Sequence, residues 1–169
     1  MAEDQSYPRV KKFFFLFIFI LSFSKANSEN FKFVKIANLN NPWGSSFLNN
    51  DEMIITEKSG LIKIVNIINN QVNDVEHNLN FLEDGQGGLL DILHQENKVW
   101  ISYTENRGNW KTSTSIALAN LDKKNLVFKN IFQANPPINS GYHFGSRLAI
   151  KDNYLYASAG ERGKGMIAQ

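Results

Sequence analysis

The sequence predicts an all-β fold made of repeated blade-like units, that is, part of a β-propeller, and three observations lead to this prediction. From residue 31 onward the apolar residues alternate in runs of strand length, and no stretch keeps the period of an amphipathic helix. Turn signals rich in Asn, Asp and Gly separate the runs. A glycine-led pattern recurs three times, and recurrence at this interval is typical of propeller blades.

The predicted strands are short and rich in β-branched and aromatic residues. A β-sandwich would also produce short strands, but it predicts no recurrence along the chain. In chain order, the strands are expected around residues 31–34, 53–55, 61–65, 99–103, 115–118, 126–128 and 154–156.

Each repeat contains a glycine, a strand, a polar turn, a second strand, a glutamate and a further glycine. The leading glycines are Gly44, Gly88 and Gly145, and their spacing is the one expected for four-stranded blades with one longer connection. About two and a half blades are therefore predicted, whereas propellers close with about four to eight. The chain ends at Gln169 in mid-unit, so we expect an N-terminal fragment of a ring, with residues 31–37 as a candidate outer strand of its last blade.

Residues 1–26 have the features of an export signal. Basic residues precede the apolar run 13–21, which is too short to span a bilayer, and small residues follow it. Cleavage is predicted after Ala26, with cleavage after Ser28 and an uncleaved anchor as the alternatives. We therefore expect a signal peptide at 1–26, a propeller part at 27–169, and an exported protein, periplasmic or secreted, that is free of the membrane after cleavage.

Composition narrows the classes of partner. The formal charge of the whole chain is +2, and it becomes zero without residues 1–26, because that segment carries four basic and two acidic residues. No basic cluster interleaved with aromatic residues remains, so no interaction with nucleic acid is predicted. The chain has no cysteine, which excludes disulfides and thiolate metal sites.

The leading candidate for chemistry is His143, which stands in the glycine-containing turn 140–147. A glycine-flanked turn can approach a ligand closely, and a neutral imidazole can accept a proton near neutral pH. From this turn alone, a histidine that caps a strand through a hydrogen bond is the simpler interpretation. His94, at a strand end, is interpreted as structural.

Three glutamates recur at the ends of what the repeat identifies as corresponding strands: Glu57, Glu105 and Glu161. Recurrence in every unit favours an architectural role over a single catalytic acid. A further pattern, G-x-G-x-x-A at residues 163–168, has no room for a following helix, so no dinucleotide site is predicted.

Five short blocks of sequence occur in a fixed order, each too short to be specific by itself. Together they resemble the signature blocks of the soluble pyrroloquinoline quinone (PQQ) dependent glucose and aldose sugar dehydrogenases, a glucose/sorbosone dehydrogenase-like family. The resemblance implies a six-bladed propeller, a sugar substrate, and PQQ and calcium as cofactors. The blocks are PWG at 42–44, TEKSGLI at 56–62, GQGGLLDILH at 85–94, HFGSR at 143–147 and GERGKGMIAQ at 160–169.

The resemblance implies roles for three residues. The histidine of the family's HxGSR block is the general base that takes the proton of the anomeric hydroxyl while hydride passes to the quinone, so His143 is the predicted base. Gln86 is predicted beside the sugar and the cofactor, with a solvated turn glutamine as the alternative. Arg147 either contacts the carboxylates of the quinone or braces the blade through a buried ion pair, and its position at the start of a strand favours bracing.

Two departures from the family qualify these roles. Tyr142 stands where some members carry an acid, so the carboxylate that orients the imidazole is predicted to be missing. The main ligands of PQQ and calcium are expected beyond Gln169, with no metal ligand in this chain, so we predict that the chain alone is inactive. The alternatives are a non-catalytic propeller that binds sugar or protein, and a truncated, non-functional reading frame.

Overall fold

The computed structural model describes residues 31–166, and the predicted signal peptide lies outside them. The described part consists of eleven strands joined by turns, without a helix that could cross a membrane. The strands are β1 (Pro42–Phe47), β2 (Glu52–Glu57), β3 (Ile62–Asn66), β4 (Val72–His77), β5 (Leu89–Gln95), β6 (Lys98–Asn106), β7 (Thr112–Asn120), β8 (Asn125–Leu126), β9 (Lys129–Gln133), β10 (Gly145–Lys151) and β11 (Tyr154–Ala159).

Two four-stranded sheets and one hairpin follow one another along the chain. The first blade has the order β1-β2-β3-β4, the second has the order β5-β6-β7-β9, and β10 pairs with β11. All of these pairings are antiparallel. The structure therefore confirms the predicted all-β architecture of about two and a half blades. We call the β10–β11 hairpin, with the loops at its ends, the third unit.

The short strand β8 departs from this simple order. It leaves the second blade and pairs in parallel with β4, where His77 is opposite Leu126. The side chain of Leu126 is fully buried and belongs to the main hydrophobic core. Burial of this side chain thus draws the connection between β7 and β9 onto the outer edge of the first blade.

The predicted outer strand at residues 31–37 is not formed in this structure. Residues 31–39 have no strand assignment, and Phe33 is 98% exposed. A strand depends on a neighbouring strand for its main-chain hydrogen bonds, and the last blade that this segment was predicted to join is not among residues 31–166.

The hydrophobic core lies between the first and second blades and takes residues from both. Alternation along the strands directs one face of each sheet into it. Within this cluster, the residues with the least exposure are Ile54, Ile62, Leu89, Ile92, Val99, Ile101, Ala117 and Leu126.

The first strand of every unit contains an irregularity that a hydroxyl group from the second strand fills. The register shifts between Pro42 and Ser45 in β1, and it shifts in the same way in β5 and β10. In the first blade the amide of Gly44 donates to Thr56 Oγ1 at 2.9 Å. The equivalent bonds, at 3.0 Å, join Asp91 to Ser102 in the second blade and Arg147 to Ser158 in the third unit.

Consecutive units are also joined through the same hydroxyl groups. Thr56 Oγ1 donates to the carbonyl of Leu90 at 2.5 Å, and Ser102 Oγ donates to the carbonyl of Ser146 at 2.7 Å. In the first and second blades, one buried hydroxyl therefore satisfies the irregular strand of its own blade and binds the first strand of the next unit.

The strand pairings correct the register that the sequence repeat suggested. Leu89 pairs with Tyr103 and Gly145 pairs with Ala159, so one constant shift along the chain superimposes both strands of the second blade on those of the third unit. We call this relation the blade correspondence, and under it Glu105 matches Glu161. Glu57 pairs with the first residue of β1 and therefore matches Tyr103 instead. The repeat is real, but its leading glycines do not occupy one structural position.

Candidate active site around His143

His143 lies in the loop 140–144, two residues before β10 begins. Its φ angle is 49°, in the left-handed region. Its carbonyl oxygen lies so close to Gly160 that a Cβ on residue 160 would overlap it, so a glycine is required there. This close approach places the segment that follows β11 against the histidine.

Gln86 and His143 are far apart in the sequence and are brought together by hydrogen bonds between their loops. The amide of His143 donates to Gln86 Oε1 at 2.9 Å, and the amide of Gln86 donates to the carbonyl of Gly141 at 2.7 Å. A Cβ on Gly85 would overlap that same carbonyl. Packing between the two loops therefore explains why a glycine stands at this position.

Glu161 supplies the carboxylate that the sequence analysis expected to be missing. Its Oε1 accepts a short hydrogen bond from His143 Nδ1, and it also accepts the amide of Gly163 at 3.3 Å. The bond with His143 is the main cause that holds the pKa of Glu161 below its usual value of 4.5. The prediction from Tyr142 was wrong, because the acid comes from the end of β11 and not from the residue before the histidine.

The pairing determines which ring nitrogen of His143 is available. A carboxylate that accepts the Nδ1–H favours the tautomer whose Nε2 carries a lone pair. Among residues 31–166, Nε2 makes no hydrogen bond, and the side chain is 54% exposed. The arrangement can therefore accept a proton from a ligand at Nε2.

Arg162 is a second residue that the sequence interpretation missed. Its side chain is buried, and it donates to main-chain carbonyls of the loop that carries His143. Burial lowers its pKa to about 10, so the guanidinium remains charged at neutral pH. Its place beside Glu161 in the GERG block was the one available signal in the sequence.

Arg147 lies four positions after His143 and does not form the buried ion pair that was favoured for it. Its side chain is 82% exposed, and its Nε is 3.8 Å from Asp91 Oδ2. The buried Asp91 carboxylate accepts instead from the amides of Leu148, at 2.8 Å, and Ile92, at 3.1 Å. Main-chain amides thus brace this boundary between units, and the Arg147 guanidinium remains exposed to solvent.

The other two histidines make bonds that fit structural roles. His94 contacts the carbonyls of Phe47, at 3.1 Å, and Glu96, at 2.6 Å. His77 Nε2 lies 2.8 Å from the carbonyl of Gly60. Within residues 31–166, no group of three His, Asp or Glu side chains is arranged to hold a metal ion.

Fold and site together define a class of protein: a β-propeller that presents a histidine–glutamate pair in the loops at one end of a hairpin. Comparison with known families agrees with this class. The family described as "Glucose / Sorbosone dehydrogenase" matches residues 39–169. The chain belongs to the glucose/sorbosone dehydrogenase family.

Two curated relatives match most of the chain. The chain is 29% identical over 141 residues to aldose sugar dehydrogenase YliI of Escherichia coli (strain K12), and the aligned region covers 78% of this chain and 38% of the relative. The chain is 33% identical over 156 residues to the uncharacterized protein slr1608 of Synechocystis sp., and the aligned region covers 82% of this chain and 37% of the relative. The chain thus spans about two fifths of the length of these relatives.

Solved structures support the same fold. A structure named glucose dehydrogenase matches with a TM-score of 0.72 and 28% identity over 78% of this chain and 44% of the other. The apo-form of the soluble aldose sugar dehydrogenase from Escherichia coli matches with a TM-score of 0.68 and 28% identity, covering 75% and 39%. The PQQ-bound form of aldose sugar dehydrogenase from Streptomyces coelicolor matches with a TM-score of 0.67 and 23% identity, over 78% of this chain and 41% of the other. At this identity the match supports only the similarity of fold.

Proposed function

We propose that this chain forms the N-terminal part of an exported, PQQ-dependent aldose or glucose dehydrogenase, with His143 as the base that deprotonates the anomeric hydroxyl of the sugar. The observation that carries the proposal is the bond between Glu161 and His143 Nδ1, which leaves Nε2 as a proton acceptor on an exposed ring. Family membership and similarity to an aldose sugar dehydrogenase support the substrate class.

The proton transfer follows from the geometry of the pair. Nε2 of His143 takes the proton of the hydroxyl, and the imidazolium that forms is stabilised by the Glu161 carboxylate, whose lowered pKa keeps it ionised at neutral pH. A positioned base of this kind accelerates proton transfer by about 10²–10⁴-fold. When the proton returns to solvent, the pair regains its starting state.

Gln86 acts in two ways in this proposal. Its Oε1 accepts the amide of His143 and so fixes the main chain of the base. Its amide nitrogen keeps two N–H donors for the hydroxyl groups of a sugar or for an acceptor on the cofactor. The glutamine therefore couples the position of the base to the position of the ligand.

The residues present fit one side of a PQQ site. When bound, PQQ would supply the acceptor for the hydride. His143 and Gln86 would contact the sugar, and the exposed guanidinium of Arg147 would be available to a carboxylate of the quinone. The part of the chain that the structure describes offers no cluster of three ligands for calcium. Because the chain spans only about two fifths of the length of its curated relatives, we propose that the main ligands of PQQ and of calcium belong to the rest of a complete enzyme, and that this chain alone does not turn over sugar.

A chimeric enzyme tests the proposal directly. Residues 39–166 of this chain would replace the matching part of the Escherichia coli aldose sugar dehydrogenase, and PQQ uptake and reduction of a dye by aldoses would be measured with and without H143Q. We expect PQQ-dependent oxidation that H143Q lowers by about 10²–10⁴-fold while PQQ uptake is retained. A folded chimera that takes up PQQ but oxidises no aldose would contradict the proposal and favour a binding propeller.

A further inference from the structure

A buried arginine in the third unit is bonded to main-chain oxygens and a hydroxyl group and not to a carboxylate. The side chain of Arg162 is 5% exposed. Its Nε donates to the carbonyl of Tyr142 at 3.1 Å and one terminal nitrogen donates to the carbonyl of Ser140. Its terminal nitrogens also donate to the carbonyl of Thr112 at 3.1 Å and to Thr112 Oγ1 at 2.7 Å.

These contacts link the loop of His143 to the second blade. The carbonyls of Ser140 and Tyr142 lie in that loop, whereas Thr112 is the first residue of β7. The guanidinium also lies 3.6 Å from the ring centroid of Phe144, the residue that follows the histidine. One side chain therefore holds the loop on both sides of His143 and binds it to a strand of the neighbouring blade.

The main chain of Arg162 strengthens the same link. Its amide donates to the carbonyl of His143 at 3.3 Å, and Ser140 Oγ donates to the carbonyl of Arg162 at 2.7 Å. The preceding residue, Glu161, accepts the bond from the imidazole. Two consecutive residues thus hold the ring and the main chain of the histidine.

The arginine is not part of the repeat, which separates it from the general architecture of the blades. Under the blade correspondence, Arg162 matches Asn106 and His143 matches Gly87. Asn106 Oδ1 accepts only a local bond, from the amide of Gly108 at 3.0 Å. The buried arginine and the histidine therefore occur together in the third unit, and neither has a counterpart in the second blade.

We propose that Arg162 is a positioning residue, which fixes the loop 140–144 against β7 and thereby holds His143 in register with Gln86 and Glu161. The planar guanidinium suits this task, because it can donate along its edges to three carbonyls and a hydroxyl group at once, which the single ammonium of lysine cannot do. Burial of a cation is costly, so a side chain that only filled this space would be better replaced by an apolar one. This inference rests on the proposed role of His143.

The test uses the full chain and reads the histidine by NMR. Hydrogen exchange of the His143 amide and the ¹⁵N shifts of its ring, which report the tautomer, would be measured in R162K and T112V, with R107K as the matched control. Arg107 is also partly buried and bonded to a strand, through Ser113 at 3.0 Å, but it belongs to the second blade.

We expect the His143 amide of R162K to exchange at least about tenfold faster than in the unchanged chain, and its ring to become a mixture of tautomers. T112V, which removes one of the four acceptors and keeps the volume of the side chain, should shift both quantities in the same direction by less. R107K should leave them unchanged, and the rings of His77 and His94 serve as internal references. If R162K does not fold, T112V decides the matter alone.

Unchanged exchange and tautomer in a folded variant would overturn the proposal, and so would equal changes at His77, since those would reflect a general loss of structure. In the chimera, R162K should lower kcat by about tenfold and leave KM within about twofold. Because the NMR measurement needs no activity, loss of the proposed function, seen as full activity in H143Q, would be distinguishable from loss of this positioning role.

Discussion

The second blade and the third unit contain the same strand–turn–strand element, yet only one of them holds a candidate base. Under the blade correspondence, Gly87 and Glu105 of the second blade match His143 and Glu161. Glu105 accepts from Asn130, Gln133 and Ser115 at 2.6–2.9 Å, all from the outer strands of its own blade. Glu161 accepts instead from the imidazole.

The difference lies in what occupies the position opposite each glutamate. A Cβ on Gly87 would lie 2.5 Å from Thr104 Oγ1 and 2.8 Å from the ring of Phe144, so the second blade has no room there for a side chain. His143 occupies the same position in the third unit with half of its side chain exposed. The comparison shows that the repeat places a carboxylate near a loop in both units, and that the neighbour of the carboxylate determines whether it bonds to its own blade or to a histidine.

The largest expected effect separates the two glutamates by activity. In the chimera, E161Q should lower kcat by about 10–100-fold, because an amide no longer fixes the Nδ1–H tautomer of the base. E105Q should leave kcat within about twofold, since Glu105 bonds only to the second blade. Dye reduction at saturating sugar measures both, and equal losses in the two variants would remove the distinction between the units.

A smaller effect separates the two loop positions by stability. G87A should destabilise the chain by about 2 kcal/mol, because the added methyl group overlaps Thr104 and Phe144. H143A, at the equivalent position of the third unit, should cost less than about 1 kcal/mol, since the ring it removes is half exposed. Urea denaturation of the two variants measures the difference, and the reverse order would contradict it.

Alkaline pH should weaken the second blade through Tyr103. Burial raises the pKa of Tyr103 to about 12, and the third unit has Ala159 at this position. The neutral phenol therefore contributes stability that is fully present below pH 10.0 and is lost as the pH rises toward 12. Relative to Y103F, which lacks the phenol and keeps the titrating Arg162, the unchanged chain should lose about 2 kcal/mol over this range. An equal pH dependence in the two proteins would assign the alkaline transition to other groups.

The smallest effect concerns the third unit in acid. The bond with His143 lowers the pKa of Glu161 in the folded chain below its usual value of 4.5. The contact therefore contributes stability that is fully present above pH 4.5 and is lost as the pH falls through the lowered pKa of the folded chain. The Nδ1–H signal of His143 should therefore persist at pH 4.5 and vanish only below it. The signal should be weaker in E161Q, because an amide oxygen accepts a hydrogen bond less strongly than a carboxylate, and loss of the signal above pH 4.5 in the unchanged chain would contradict the assignment.

Much of the site was predictable from residues that are far apart in sequence. The repeat identified a propeller and its number of blades, and the ordered blocks identified Gln86 and His143, which the structure joins by a hydrogen bond. The role of Glu161 was missed, because its recurrence at strand ends favoured architecture. Arg162 gave no separate signal, since its burial depends on Thr112, which is distant in the sequence.

The sequence by itself determined the strands, their alternation, the repeated units and the presence of a histidine in a glycine-containing loop, because these depend on local periodicity and turn chemistry. Only the tertiary structure decided the register between units, the partner of each glutamate and the burial of the arginine. Those features depend on the packing of segments that are distant along the chain, where a slip in register changes which side chains meet.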